Sequence, residues 1–235
     1  MASLHSSMTN GPRRDQAEGL RRLLAAPLPS LCTVLFAGDR AHKPPLMQRL
    51  ALSMTRRGRE VLWVDARRES LSDTGSKHGV ASLLEVAQGR TTLEQATALC
   101  APDLRRIALG MAGEAMQDES LSSLLRELAV GRQSLLVDAE LNADGQLPLS
   151  VLAEGELVLQ VEAEPQAIRE AYQIMRALKA LCMPGTLALL VCGATPERTR
   201  QVQANLFHAA SRYLAMPVRA IVAPSASDFH HRRHV

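Results

Sequence analysis

Lysine is nearly missing from this chain. Of 27 basic residues only Lys43, Lys77 and Lys179 are lysine, and the rest are arginine. With abundant Ala and Leu, this follows the coding bias of a GC-rich genome and carries little information about ligands. The charge excess is also small, +3 at pH 7, too little to indicate nucleic acid, so no nucleic-acid partner is expected. Long apolar runs are absent: none approaches the roughly 20 residues that cross a bilayer, which excludes a membrane-spanning helix. Met1 to Asn10 has no apolar stretch, so no secretory signal is expected there. Cys32, Cys100, Cys182 and Cys192 stand far apart, fitting neither a zinc site nor a disulfide framework. The expectation is reduced, buried thiols in a cytoplasmic protein with no bound metal.

What is present is ordinary globular composition, 46% hydrophobic over 235 residues, enough for one core. Residues 1–30 read as a flexible N-terminus carrying one helix over 15–24, where Asp15 and Glu18 start the helix and Leu20, Leu23 and Leu24 share a face. Pro27 and Pro29 end it. An alternation follows: strands at Thr33–Ala37, Glu60–Val64, Leu104–Leu109, Ser134–Val137, Glu156–Val161, Leu187–Cys192 and Val218–Val222, with helices at Leu46–Arg57, Val80–Ala87, Thr92–Leu99, Leu121–Val130, Ala167–Leu181 and Glu197–Leu214. Strands apolar on both faces and separated by helices predict an α/β domain over 31–224, with a doubly wound parallel sheet and helices on both faces. Residues 225–235 read as a basic His/Arg tail. In such sheets ligands sit at the carboxyl ends of strands, so the loops after Ala37, Asp65 and Asp138 are the places to look.

Ala37-Gly38-Asp39-Arg40-Ala41-His42-Lys43-Pro44-Pro45 has the position of a phosphate-binding loop, between a strand and a helix. Its residues suit that task poorly. Convergent N–H groups need glycines, because left-handed geometry costs an ordinary residue about 1–2 kcal/mol; only Gly38 is one. Asp39 adds negative charge, and Pro44 stands where a Ser or Thr would hold Mg²⁺. Gly38 and Lys43 are the residual nucleotide-binding candidates. For Lys43 two readings stand side by side, a remaining phosphate lysine or a solvated lysine at a helix start. Asp65 and Asp138 are candidates for a vestigial magnesium or water-activating site, with helix or turn capping the favoured role.

These residues carry a resemblance. Thr33–Asp65, with Glu60-Val61-Leu62-Trp63-Val64-Asp65, together with Leu135-Leu136-Val137-Asp138 and Glu164-Pro165 before a helix containing Ala171-Tyr172, resembles the MinD/ParA-type deviant Walker ATPases, P-loop NTPases. Ahead of them, Asp15-Gln16-Ala17-Glu18-Gly19-Leu20-Arg21 resembles the N-terminal segment of the FlhG/FleN flagellar-number regulators. The match runs over nearly the whole chain. It implies that Asp15, Gln16, Gly19, Leu20 and Arg21 contact an SRP-type GTPase and stimulate its hydrolysis, a polar side chain beside the nucleotide orienting the water or stabilising charge.

The departures are specific. The family's first loop lysine aligns with Gly38, and Asp73 cannot be matched to the switch aspartate. The glycine expected after Asp138 is missing, and so is an apolar face near the C-terminus. The expected function is therefore regulation of flagellar number or placement by protein contacts, with a degenerate nucleotide site. No cofactor is expected first, and ATP with magnesium stays open. A transcription activator, a switch-complex protein and a homodimer remain open as partners, with weak or no membrane binding and recruitment to the cell pole or membrane through a partner. The alternatives are an active Mg-ATPase of the same family and a MinD-like accessory protein of cellulose synthesis.

Overall fold

The computed structural model describes residues 31–56, 58–67, 81–110, 119–130, 133–181 and 187–221. The helix expected over 15–24, with Asp15, Gln16, Gly19, Leu20 and Arg21, lies outside the described residues, as do Asp73, Cys182 and the tail 225–235.

The run Leu-Cys-Thr-Val-Leu-Phe-Ala forms β1 (Leu31–Ala37), buried at every position, as a central strand covered on both faces must be. A 3₁₀ turn (Arg40–His42) leads into α1 (Lys43–Thr55), then β2 (Glu60–Asp65), α2 (Leu83–Ala87), α3 (Leu93–Ala96), β3 (Ala98–Ala101), β4 (Leu104–Ala108), α4 (Glu119–Val130) and β5 (Gln133–Asp138). A second 3₁₀ turn precedes β6 (Glu156–Glu162), α5 (Pro165–Ala180), β7 (Leu187–Cys192), α6 (Pro196–Ala209), a π turn (Ala210–Leu214) and β8 (Val218–Ile221). The eight strands form one sheet in the order β3-β4-β2-β5-β1-β6-β7-β8. All pairings are parallel except β3 with β4. The doubly wound α/β architecture expected from the alternation is the one observed.

Three expectations are corrected. Thr92–Leu99 is not one helix: its first turn is α3, capped reciprocally by Thr92 and Gln95, and the chain then turns extended into β3. The cause lies just beyond. Pro102 fixes its own φ and Asp103 takes a left-handed φ of 60°, closing a two-residue turn that folds Ala98 back opposite Arg106. The sheet consequently has an antiparallel edge rather than being wholly parallel. Second, α1 starts at Lys43, three residues before the first apolar position, because Pro44 and Pro45 suit a first turn whose N–H groups have no partner to lose. Third, not every thiol is buried: Cys32 is, with burial pushing it up to about 12, but Cys100 on β3 is exposed. No helix among the described residues is long and apolar enough to cross a membrane.

Candidate functional site

The carboxyl ends of β1, β2 and β5 lie side by side, and the loops they release converge. β2 and β5 run in a register that makes Asp65 and Asp138 direct neighbours. Both are 1% exposed. Two adjacent buried carboxylates repel, and a carboxylate without a partner is costly to bury; three cations answer them.

Lys43, also 1% exposed, pairs its Nζ with Asp138 Oδ1. The same Nζ donates to the Ala139 carbonyl at 3.3 Å and lies 3.9 Å from Glu140 Oε1. Arg67 donates through Nε to Asp65 Oδ1 at 2.9 Å and through Nη2 to Oδ2 at 2.7 Å. Its Nε also sits 3.4 Å from Asp138 Oδ2, so one guanidinium bridges both aspartates. Arg106 donates to Asp65 Oδ2 at 2.7 Å and stacks over Trp63, 4.7 Å from the ring centre, because β2 and β4 place those two residues in register. Burial pushes the Asp65 carboxyl up, but hydrogen bonds from Arg67 and Arg106 outweigh it and hold the group below its ordinary value. At Asp138 burial prevails over Lys43 and Arg67, and the carboxyl is raised.

The loop after β1 has a different set of partners. Asp39 caps its own 3₁₀ turn, Oδ1 accepting from the Ala41 N–H at 3.0 Å. The Gly38 N–H donates to Glu170 Oε2 at 3.1 Å, and the Asp39 N–H to Glu162 Oε2 at 2.9 Å. His42 Nδ1 lies 2.7 Å from Glu162 Oε1. Glu162 is the last residue of β6, the strand paired with β1. Glu170 is on α5, which packs on both β1 and β6 with Ala167, Ala171, Met175 and Leu178 buried. Beside the loop is a cavity of about 130 Å³ lined by residues that include Arg40, Lys43, Glu140 and Glu170, with Arg40 and Glu140 3.7 Å apart.

The structure thus brings Gly38, Lys43, Asp65 and Asp138 together as the strand ends imply. It overturns the solvated reading of Lys43, whose amine reaches inward because the 3₁₀ turn aims α1's first residue at β5. It also replaces capping as the main role of the aspartates. Asp65 accepts from the Arg67 N–H at 3.3 Å, a turn contact, but its principal partners are guanidinium groups. Arg67, Arg106, Glu162 and Glu170 were not singled out from sequence. For Arg106 a signal existed, a charged pair inside an otherwise apolar strand; Glu162 and Glu170 are ordinary acidic residues until the fold turns them toward the loop. Among the described residues no group of three or more His, Cys, Asp or Glu is arranged to hold a metal ion.

No family model matches the chain, and no curated protein matches it in sequence. Solved structures do match in fold. The MinD of a MinC:MinD cell division complex from Aquifex aeolicus is 19% identical, with 85% of this chain and 84% of that one covered and a TM-score of 0.55. A ParA family ATPase from Chlorobium tepidum TLS is 16% identical over 84% and 85%, with a TM-score of 0.53. Cobyrinic acid a,c-diamide synthase from Mycobacterium smegmatis, solved with a bound ATP analogue and magnesium, is 18% identical over 84% and 85%, with a TM-score of 0.57. At these identities the likeness is one of architecture: this chain has the fold of the MinD/ParA P-loop ATPases.

Proposed function

We propose that this chain is a regulatory scaffold of MinD/ParA architecture that acts through protein contacts and not through a nucleotide cycle of its own. The observation that carries this reading is the internal pairing of Lys43 with Asp138. The loop's one lysine and the strand-end carboxylate suited to magnesium neutralise each other in the interior. ATP and Mg²⁺ do not fit the residues present. A triphosphate would arrive beside Glu162, Glu170 and Asp39, three carboxylates, and would find the Gly38 and Asp39 amides taken. Pro44 offers neither hydroxyl nor N–H. The adjoining cavity, about 130 Å³, is well below the roughly 300–1,000 Å³ of small-molecule sites.

The process is proposed from the N-terminal resemblance. Asp15, Gln16, Gly19, Leu20 and Arg21 engage an SRP-type GTPase of the flagellar system and stimulate it, and the chain sets flagellar number or placement. Deleting residues 1–24 is expected to abolish stimulation of a cognate SRP-type GTPase while circular dichroism of the remaining domain is unchanged. Stimulation equal to that of the full chain would overturn the partner assignment.

The ATPase reading keeps one point in its favour, the ATP analogue and magnesium held by a fold neighbour. Calorimetric titration decides between the two. Micromolar Mg-ATP binding that is lost in Lys43→Ala would establish a working nucleotide site and overturn the scaffold reading.

A further inference from the structure

We propose that Glu162 and Glu170 are intramolecular anions that fill the place of a phosphate on the β1–α1 loop, so that anions are kept off this loop by occupancy and not only by its shortage of glycine. The inference rests on the scaffold reading above and deepens it.

The geometry is that of a bound anion. Two successive backbone N–H groups, Gly38 and Asp39, each donate to a carboxylate oxygen, at 3.1 and 2.9 Å. Both carboxylates come from elsewhere in the chain, more than 120 residues downstream. The second oxygen of Glu162 is held by the His42 ring at 2.7 Å, so that one carboxylate spans the loop from Asp39 to His42 much as a phosphate would. Gly38 is the one loop residue whose backbone still demands glycine, because of its positive φ, and the Glu162 side chain packs against the face a Cβ would occupy. Its φ is +145°, and a Cβ there would lie 2.5 Å from Glu162 Oε2. Two further loop donors are also committed. The Ala41 N–H goes to the Asp39 side chain, and the His42 N–H to the Asp39 carbonyl at 3.0 Å. Charge-assisted bonds from N–H to carboxylate are the strong members of their class, and an incoming anion must both displace them and approach like charge.

The two glutamates are positioning residues: they touch the loop and no substrate. The test uses the full chain, ¹⁵N-labelled, with E162Q, E170Q and the double variant, and inorganic pyrophosphate as the probe. Each change keeps shape and removes charge at a half-buried surface position, and the single variants give separate readings. The expected result is an upfield displacement of the Asp39 amide proton in E162Q and of the Gly38 amide proton in E170Q. In the double variant pyrophosphate should perturb those same amides with an affinity at least about tenfold above that of the unaltered chain. That is the effect of one unit charge within about 10 Å at the effective dielectric of a protein surface. Amide protons that do not move overturn the inference. So does pyrophosphate perturbing them in the unaltered chain with an affinity equal to that in the double variant, or displaced amides with no gain in affinity. Failure of the scaffold reading is separate: it shows as Mg-ATP binding by the unaltered chain, whereas a chain silent to Mg-ATP whose amides ignore both substitutions sinks only the role given to the glutamates.

Discussion

A lysine amine and an aspartate, each about 1% exposed, place strict demands on any substitution. Breaking a buried pair from one side leaves an uncompensated charge and costs about 3–5 kcal/mol, whereas replacing both partners by apolar groups of similar size is often neutral. Asp138→Ala is therefore expected to lower unfolding free energy by about 3–5 kcal/mol in urea titration, and Lys43→Met with Asp138→Leu to recover most of it. A double variant no more stable than Asp138→Ala would show that the pair is not a closed unit.

Asp65 supplies a pH signature. Its carboxyl lies below its ordinary value in the fold, so its contribution to stability is present above the unfolded pKa of about 3.9 and is lost as pH falls through the folded one. Arg106→Leu removes one of the two groups that hold it down. The stability gap between the unaltered chain and Arg106→Leu should be widest above about pH 5 and narrow as pH falls below about 4. The same substitution lifts a guanidinium off the chain's one tryptophan, Trp63, so its emission should shift. A gap independent of pH would mean that Arg106 contributes only packing.

At the scale of elements, β1, β2, β5, β6 and β7 were legible as short apolar runs bounded by turn residues or charge, because burial on both faces leaves no other pattern. The arginine-bearing, partly buried β4 and β8 were legible from their place in the alternation. β3 was not. Ala-Leu-Cys-Ala carries no period, and the preceding Thr92–Ala96 has a sound helical start, so the helix is the natural continuation until the Pro102-Asp103 turn reverses the chain. The turn dipeptide was the available signal. Asp103 at φ 60° should accept glycine at no cost or with a gain of up to about 1 kcal/mol, while Asp103→Val should cost about 1–2 kcal/mol. Thermal melts of the two variants check this; equal melting points would remove the turn as the cause of β3. The site was legible in position but not in state. Strand ends and one lysine located Gly38, Lys43, Asp65 and Asp138. Which partner each takes depended on Arg67, Arg106, Glu162 and Glu170, which only the sheet register and α5 bring near.

For the whole molecule, a nucleotide that binds only the folded chain must stabilise it, by about 2.7 kcal/mol at a hundred times its dissociation constant. Millimolar Mg-ATP is expected to leave the melting temperature of the full chain unchanged. A rise of several degrees would mean that the interior pairs open for the ligand.

If the chain is the scaffold proposed above, the lysine turned inward onto β5 has an outcome for the cell. A regulator whose active surface waits on bound ATP can be silenced in place, within one hydrolysis event. One whose interior is already neutralised has no such off state, and its strength of action follows its copy number. Control then passes to transcription, translation and proteolysis, and the response slows from the lifetime of a nucleotide to the lifetime of the polypeptide.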